Sequence, residues 1–140
     1  MVEIESGRRY YITNAKAGTV IDLNAMDNYT IVGWNNKNGD NQKWELQRSE
    51  NGWHIKNVGN GTYLGFDGDL HEGTRLTSWR DPCDWQIWKD EQDPSVYRLF
   101  IPNTTLNIDL SDHGNAHPGT AITLWGKWEG RHQCWRFDEA

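Results

Sequence analysis

Tyr10 and Ile12 stand two apart in the stretch YYITN, Trp53 and Ile55 in WHIKN, and Leu99 and Ile101 in LFIPN. A period of two is what a half-buried strand requires, because successive side chains point to opposite faces. Each stretch ends in Asn, at Asn14, Asn57 and Asn103, a residue that favours turns. A second apolar run follows each time: GTVIDL, GTYLGF and TTLNIDL. After a loop comes an apolar residue three before a tryptophan, as Ile31/Trp34, Leu76/Trp79 and Ile122/Trp125. A last strand carries Gln-x-Trp, at Gln42/Trp44, Gln86/Trp88 and Gln133/Trp135. Between the first and second sets, SENGW holds an Asn-Gly hairpin signal. Between the second and third, DEQDPS is a turn cluster.

The pattern is an internal repeat of roughly 45 residues with about four short strands per unit. The units span approximately 6–48, 49–92 and 93–138 of one domain covering residues 1–140. A propeller needs about 4–8 blades, so three units do not close one. Three four-stranded units without free edges suit a closed barrel capped by hairpins: an all-β chain folded as a β-trefoil. On this reading Trp44, Trp88 and Trp135, spaced 44 and 47 residues apart, meet near the pseudo-threefold axis. The Gln of each pair satisfies buried backbone groups where a strand leaves the barrel.

Composition supports this reading. Only 36% of residues are hydrophobic, yet nine are Trp, so a few large side chains carry much of the burial. Long helical-period runs are absent, and 14 Gly residues suit a chain rich in turns. The net charge of −6, with no basic stripe, argues against nucleic acid and anionic membrane as partners. No stretch approaches the ~18 apolar residues of a membrane span. The opening MVEIESGRRYYITN has no apolar run of signal-peptide length, so the expected location is cytoplasmic. Cys83 and Cys134 are then expected as thiols. The sequons at Asn28, Asn60 and Asn103 are expected as ordinary turn sequence.

Three Gln-x-Trp pairs in units of this length resemble the ricin B-chain type of β-trefoil lectin. The stretches IDLN…IVGWNNKNGDNQKW and NIDLS…ITLWGKW are similar to the small mushroom members of that group, some of them mannose-binding. The resemblance covers roughly residues 6–138. It implies a shallow sugar pocket per repeat: an Asp on the second strand, an aromatic three after an apolar position, and an Asn just before the Gln. The chemistry is apt, since a sugar ring has an apolar face and a polar rim. A carboxylate's two oxygens suit two adjacent hydroxyls. Unit one carries Asp22, Trp34 and Asn41, with Asn36 nearby. Unit three carries Asp109 and Trp125, with His132 where Asn is expected. Unit two has Gly65 in place of the Asp, and Trp85 in place of the Asn.

Other constellations point to less. His113 and His117 are four apart in HGNAH, but Gly114, Asn115 and Pro118 mark a loop rather than a zinc-binding helix. Asp67, Asp69 and Glu72 lack the ligand order of an EF-hand. Asp22 and Asp109 belong to different repeats, so no acid/base pair for glycoside cleavage is suggested. No nucleophile elbow, phosphate loop or dinucleotide fingerprint is present. The expectation is a non-catalytic lectin without metal or cofactor, binding mono- or oligosaccharides and glycoproteins through a mannose- or galactose-type hexose. Homodimerisation and an enzyme partner stay open. A protease inhibitor, or a lectin-like subunit docking on another protein with sugar binding lost, is the alternative.

Overall fold

The computed structural model describes residues 3–140. Its strands are β1 (Arg9–Asn14), β2 (Val20–Leu23), β3 (Ile31–Trp34), β4 (Trp44–Ser49), β5 (Gly52–Asn57), β6 (Tyr63–Phe66), β7 (Leu76–Trp79), β8 (Gln86–Lys89), β9 (Tyr97–Phe100), β10 (Leu106–Leu110), β11 (Thr120–Gly126) and β12 (Trp135–Glu139). β1 pairs with both β4 and β12, β4 with β5, and β9 with both β8 and β12. A bridge between Trp53 and Trp85 joins β5 to the start of β8. These six strands close a barrel, which removes the sheet edges that would otherwise invite pairing with other chains. The hairpins β2–β3, β6–β7 and β10–β11 form the cap. They are stitched to one another by β3–β11 pairing and by the bridges Thr30–Thr77 and Arg75–Thr123. The fold is a β-trefoil. Among the described residues no helix is long and apolar enough to cross a membrane.

Trp44, Trp85 and Trp135 are each 0% exposed. Their indole N–H groups donate to Ile21 O (2.9 Å), Leu64 O (2.9 Å) and Ile108 O (3.0 Å). These are equivalent positions one residue before Asp22, Gly65 and Asp109, so the threefold relation holds to the level of single hydrogen bonds. Each indole removes some 200 Å² from water, about 5 kcal/mol of gross burial, while its polar N–H stays satisfied. The second member of the trio is therefore Trp85 and not Trp88, which is 59% exposed on β8. The expectation that Trp88 completes the core is corrected, and the reason is a length change. Ten residues separate Trp34 from Trp44 and Trp125 from Trp135, but only six separate Trp79 from Trp85. Gln86-Ile87-Trp88 is a coincidental copy of the motif, three residues downstream of the true position.

A second register differs from the alternation read off the sequence. Asn14 N donates to Thr19 O at 2.7 Å and Asn57 N to Thr62 O at 2.7 Å; in unit three the same bond runs from Ile101 N to Leu106 O at 3.1 Å. Ile101, not Asn103, is thus the counterpart of the two asparagines, and the inward trio is Ile12, Ile55 and Leu99. A slip of two residues leaves the in/out pattern of a strand intact, so alternation alone does not detect it.

Candidate functional site

The cap hairpins put three positions in threefold register: Val20 opposite Trp34, Tyr63 opposite Trp79, and Asn107 opposite Trp125. Two residues along, Asp22, Gly65 and Asp109 take the same place. In unit one, a single 3₁₀ turn, Asp40–Gln42, brings Asn41 and Gln42 beneath this strand. Gln42 Nε2 donates to Asp22 Oδ2 (2.9 Å) and to Asn35 O (2.8 Å), and its Oε1 accepts from Lys37 N (2.8 Å). Unit three repeats the arrangement with the turn Arg131–Gln133. Gln133 Nε2 donates to Asp109 Oδ2 (2.9 Å) and Gly126 O (3.1 Å), and its Oε1 accepts from Trp128 N (3.0 Å). The expected backbone role of the glutamine is present in units one and three. It also holds the carboxylate.

Neighbouring residues brace these turns. Asn57 Nδ2 donates to Asn41 O at 3.0 Å, and Asn14 Nδ2 to His132 O at 2.9 Å. Unit three has a further support without a counterpart in unit one. Arg98, 4% exposed, donates from Nη1 to Gln133 Oε1 (3.0 Å) and Asn107 Oδ1 (3.2 Å), and from Nε to Asp90 Oδ1 (2.8 Å). A buried cation needs such pairing. With Oε1 turned toward Arg98 and Trp128, the amide N–H₂ of Gln133 is aimed at Asp109. Asp90 is pushed up by burial, but the Arg98 bond and charge hold it below the usual carboxylate value.

Asp22 and Asp109 are 6% and 7% exposed. Burial pushes the Asp22 carboxyl above its ordinary value, against hydrogen bonds from Gln42 and Asn41 and the charge of Lys37. Burial likewise raises Asp109, against Gln133 and His132. His132 is driven below the ordinary imidazole value, chiefly by burial, although its Nε2 lies 3.3 Å from Asp109 Oδ2. Each carboxylate is therefore short of water and has one oxygen committed to glutamine.

The remaining expected residues fall into place as follows. Asn41 is half-buried and donates from Nδ2 to Leu23 O at 3.0 Å. Asn36 is exposed, and its Oδ1 accepts from Asn38 N at 2.8 Å in a local Asx turn. Trp34 is half-buried, with Lys37 Nζ 5.9 Å above its ring centroid. Asp109, Trp125 and His132 line one cleft of about 440 Å³, together with Gly73, Ser111, Asp112, His113, Thr123 and Trp128.

In unit two a cleft of about 360 Å³ remains, lined by Gly65, Trp79, Pro82 and Cys83 among others, but its tryptophan takes the place of the carboxylate. The Trp79 indole lies over β6, its N–H donating to Phe66 O at 2.8 Å. A Cβ at Gly65 would sit 2.5 Å from Trp79 Cδ1, so that position accepts no side chain while the indole stays there. The residue in the Asn41/His132 place is Pro82, three before the core Trp85, which corrects the expected Trp85. Cys83 takes the glutamine's place. Gly65, Pro82 and Cys83 supply no carboxylate or amide side chain at these three positions.

Sequence reasoning missed Trp128, Arg98 and Glu72. Trp128 sits three after Trp125, as Lys37 does after Trp34, and that spacing was the available signal. Arg98 and Glu72 had none, since each acts on a residue far from it in the chain: Arg98 donates to Gln133 Oε1, and Glu72 Oε2 accepts from Gly126 N at 3.1 Å. Among the described residues no group of three His, Cys, Asp or Glu side chains is placed to hold a metal ion.

A family model described as ricin-type beta-trefoil lectin domain-like matches residues 2–79 and 40–125. A ricin B-like lectin of Macrolepiota procera, solved in complex with lactose, is 43% identical over 99% of this chain and 100% of that one, with a TM-score of 0.98. The agglutinin of Rhizoctonia solani is 22% identical over 100% of this chain and 99% of that one, with a TM-score of 0.88. The designed threefold-symmetric protein ThreeFoil is 16% identical over 94% and 99%, with a TM-score of 0.85. The last two likenesses concern the fold. No curated protein matches the chain.

Proposed function

Because the chain belongs to the ricin-type β-trefoil lectin family, we propose that it binds carbohydrate without turning it over, through units one and three. The observation that carries this reading is the repeated trio of a tryptophan, a buried Asp and a glutamine donating to that Asp at 2.9 Å. With Oδ2 committed to glutamine, the second carboxylate oxygen is the acceptor for sugar hydroxyls. Charged acceptors make the stronger bonds, and low local dielectric strengthens them further. The indole receives the apolar face of the ring. Unit two lacks every polar element and does not bind in this way.

The sugar we propose is a neutral hexose of galactose type, on the support of the 43% identical relative that was solved with lactose; mannose is the competing choice. Sites this shallow are weak one by one, and two on one chain, or four on a dimer, add avidity on multivalent glycans. Binding without hydrolysis fits the separation of Asp22 and Asp109 into different units, where cleavage needs two carboxyls flanking one bond. Free thiols at Cys83 and Cys134 suit a reducing compartment, the cytoplasm.

A glycan array on the wild type, Asp22→Ala and Asp109→Ala tests this. Galactose-terminated glycans should be retained by the wild type and lost progressively in the variants. A wild type that binds no glycan sinks the lectin reading and favours a subunit that docks on protein.

A further inference from the structure

We propose that the unit-three cleft is a disaccharide site, in which Trp125 receives the sugar gripped by Asp109 and Trp128 receives the ring linked to it. This rests on unit three binding sugar at all. The internal threefold supplies the comparison. Trp128 N and Lys37 N are equivalent, each donating to its unit's glutamine Oε1, at 3.0 and 2.8 Å. At this one position unit one carries a cation that leans over its own Trp34. Unit three carries a second indole, and Trp125 and Trp128 line the same cleft. They are 41% and 47% exposed, an aromatic surface that water solvates poorly and a sugar's C–H face covers well.

The second platform is held in place. Trp128 N is fixed by Gln133, itself fixed by Arg98. The ring lies 4.9 Å from His132, at 62° between planes. Its approach depends on Gly130, where a Cβ would fall 2.4 Å from His132 Cε1 and 3.0 Å from Trp128 Cη2. Preorganisation of this kind lowers the entropy lost on binding. Unit three also has a longer β10–β11 connection, whose residues Ser111, Asp112 and His113 line the same cleft. Sixteen residues separate Asp109 from Trp125, against twelve from Asp22 to Trp34. The extra length forms a left-handed turn, with Asp112 at φ 55° and His113 at φ 53°. Such backbone is costly for residues with a side chain. Here it is pinned by Asn115 Nδ2 donating to Asp112 Oδ2 (2.9 Å) and by Lys16 Nζ donating to His113 O. Two indoles and a polar rim of Ser111, Asp112 and His113 thus line the one cleft. That is a match for two linked neutral rings rather than one.

The test uses Asp22→Ala, so that unit three alone is read, titrated calorimetrically with methyl β-galactoside and with lactose. Lactose should bind about 3- to 10-fold tighter, the scale of one added aromatic contact. Adding Trp128→Lys, the unit-one residue, should bring the ratio to about one, whereas Trp128→Phe should keep most of it. In Asp109→Ala, where unit one is read, Lys37→Trp should raise the lactose ratio. Equal affinities for the two sugars, or a ratio that Trp128→Lys leaves intact, overturns the proposal while the sugar site stands. Failure of folded Asp22→Ala to bind either sugar, with wild-type binding retained, removes the unit-three site itself and the proposal with it.

Discussion

Gln42 donates from one amide nitrogen to Asp22 Oδ2 at 2.9 Å and to Asn35 O at 2.8 Å, while its oxygen accepts from Lys37 N at 2.8 Å. One buried side chain therefore ties the Asp22 carboxylate to the loop that follows Trp34. The family signature residue and Asp22 are parts of one hydrogen-bonded unit, so on the proposed function stability and recognition should fail together.

Gln42→Ala should lose sugar binding in unit one and about 2–3 kcal/mol of stability, because a buried carboxylate and two backbone groups lose their partner. Gln86→Ala, in the coincidental motif, should stay within about 0.5 kcal/mol of wild type. Urea denaturation of the two variants checks this. Equal losses would contradict the assigned register.

The tryptophans offer the same contrast on a larger scale. Trp85→Ala removes a fully buried indole and its bond to Leu64 O at 2.9 Å, and should cost about 3–5 kcal/mol. Trp88→Ala removes a side chain that is 59% exposed and should cost no more than about 0.5 kcal/mol. Thermal melts of both proteins decide the matter.

That contrast also marks the boundary of what was legible in the sequence. The trefoil was legible because three units share one in/out pattern, and the equivalence of Asp22 with Asp109 and of Trp34 with Trp125 was legible because they sit at fixed steps along strands. Trp85 was not, because a loop shortened by four residues moves the core position while Gln86 and Trp88 happen to mimic it. Asn103 was misassigned because alternation is blind to a slip of two. Arg98 was invisible for another reason: its function depends on meeting Gln133, 35 residues away, and no local pattern records that meeting.

Asp22→Asn should separate stability from binding in the other direction. The ionised carboxylate is disfavoured by burial, and an amide oxygen still accepts from Gln42. The variant should gain roughly 0.5–2 kcal/mol, the usual scale for relieving a functional site, and lose galactoside binding in unit one. Calorimetry and urea titration on the same sample test both halves. A destabilised Asp22→Asn would mean that the charge is compensated in the unliganded protein.

The two thiols should be inert in the folded protein. Burial raises both Cys83 and Cys134 to about 11, far above the pH at which thiolate chemistry starts in an unfolded chain. Neither should react with a disulfide reagent at pH 7.5 on the timescale of minutes, and both should react at once in denaturant. Rapid labelling of one thiol in native buffer would show that its segment opens locally.

Acid should weaken binding while acting oppositely on the stability contributed by the same carboxylates. Asp22 titrates above its ordinary 3.8 in the fold. Between 3.8 and its folded value the native state holds a proton that the unfolded state lacks, so this group's contribution to stability grows as pH falls through that window. Sugar binding needs the ionised form and is lost over the same window. Asp109 follows the same sign. His132 does the reverse: its folded value lies below 6.5, so the unfolded chain takes up the proton first and stability drains away from pH 6.5 downward. Unit three thus carries a histidine whose contribution to stability falls with falling pH, and unit one has no such group at its Asn41. Lactose titrations from pH 7 to pH 4 should show Asp109→Ala, which reads unit one, losing affinity at a pH above 3.8. In Asp22→Ala, which reads unit three, affinity should likewise fall at a pH above 3.8, as Asp109 takes up its proton. Affinities flat to pH 4 in Asp109→Ala would mean that Asp22 is not the acceptor for the sugar.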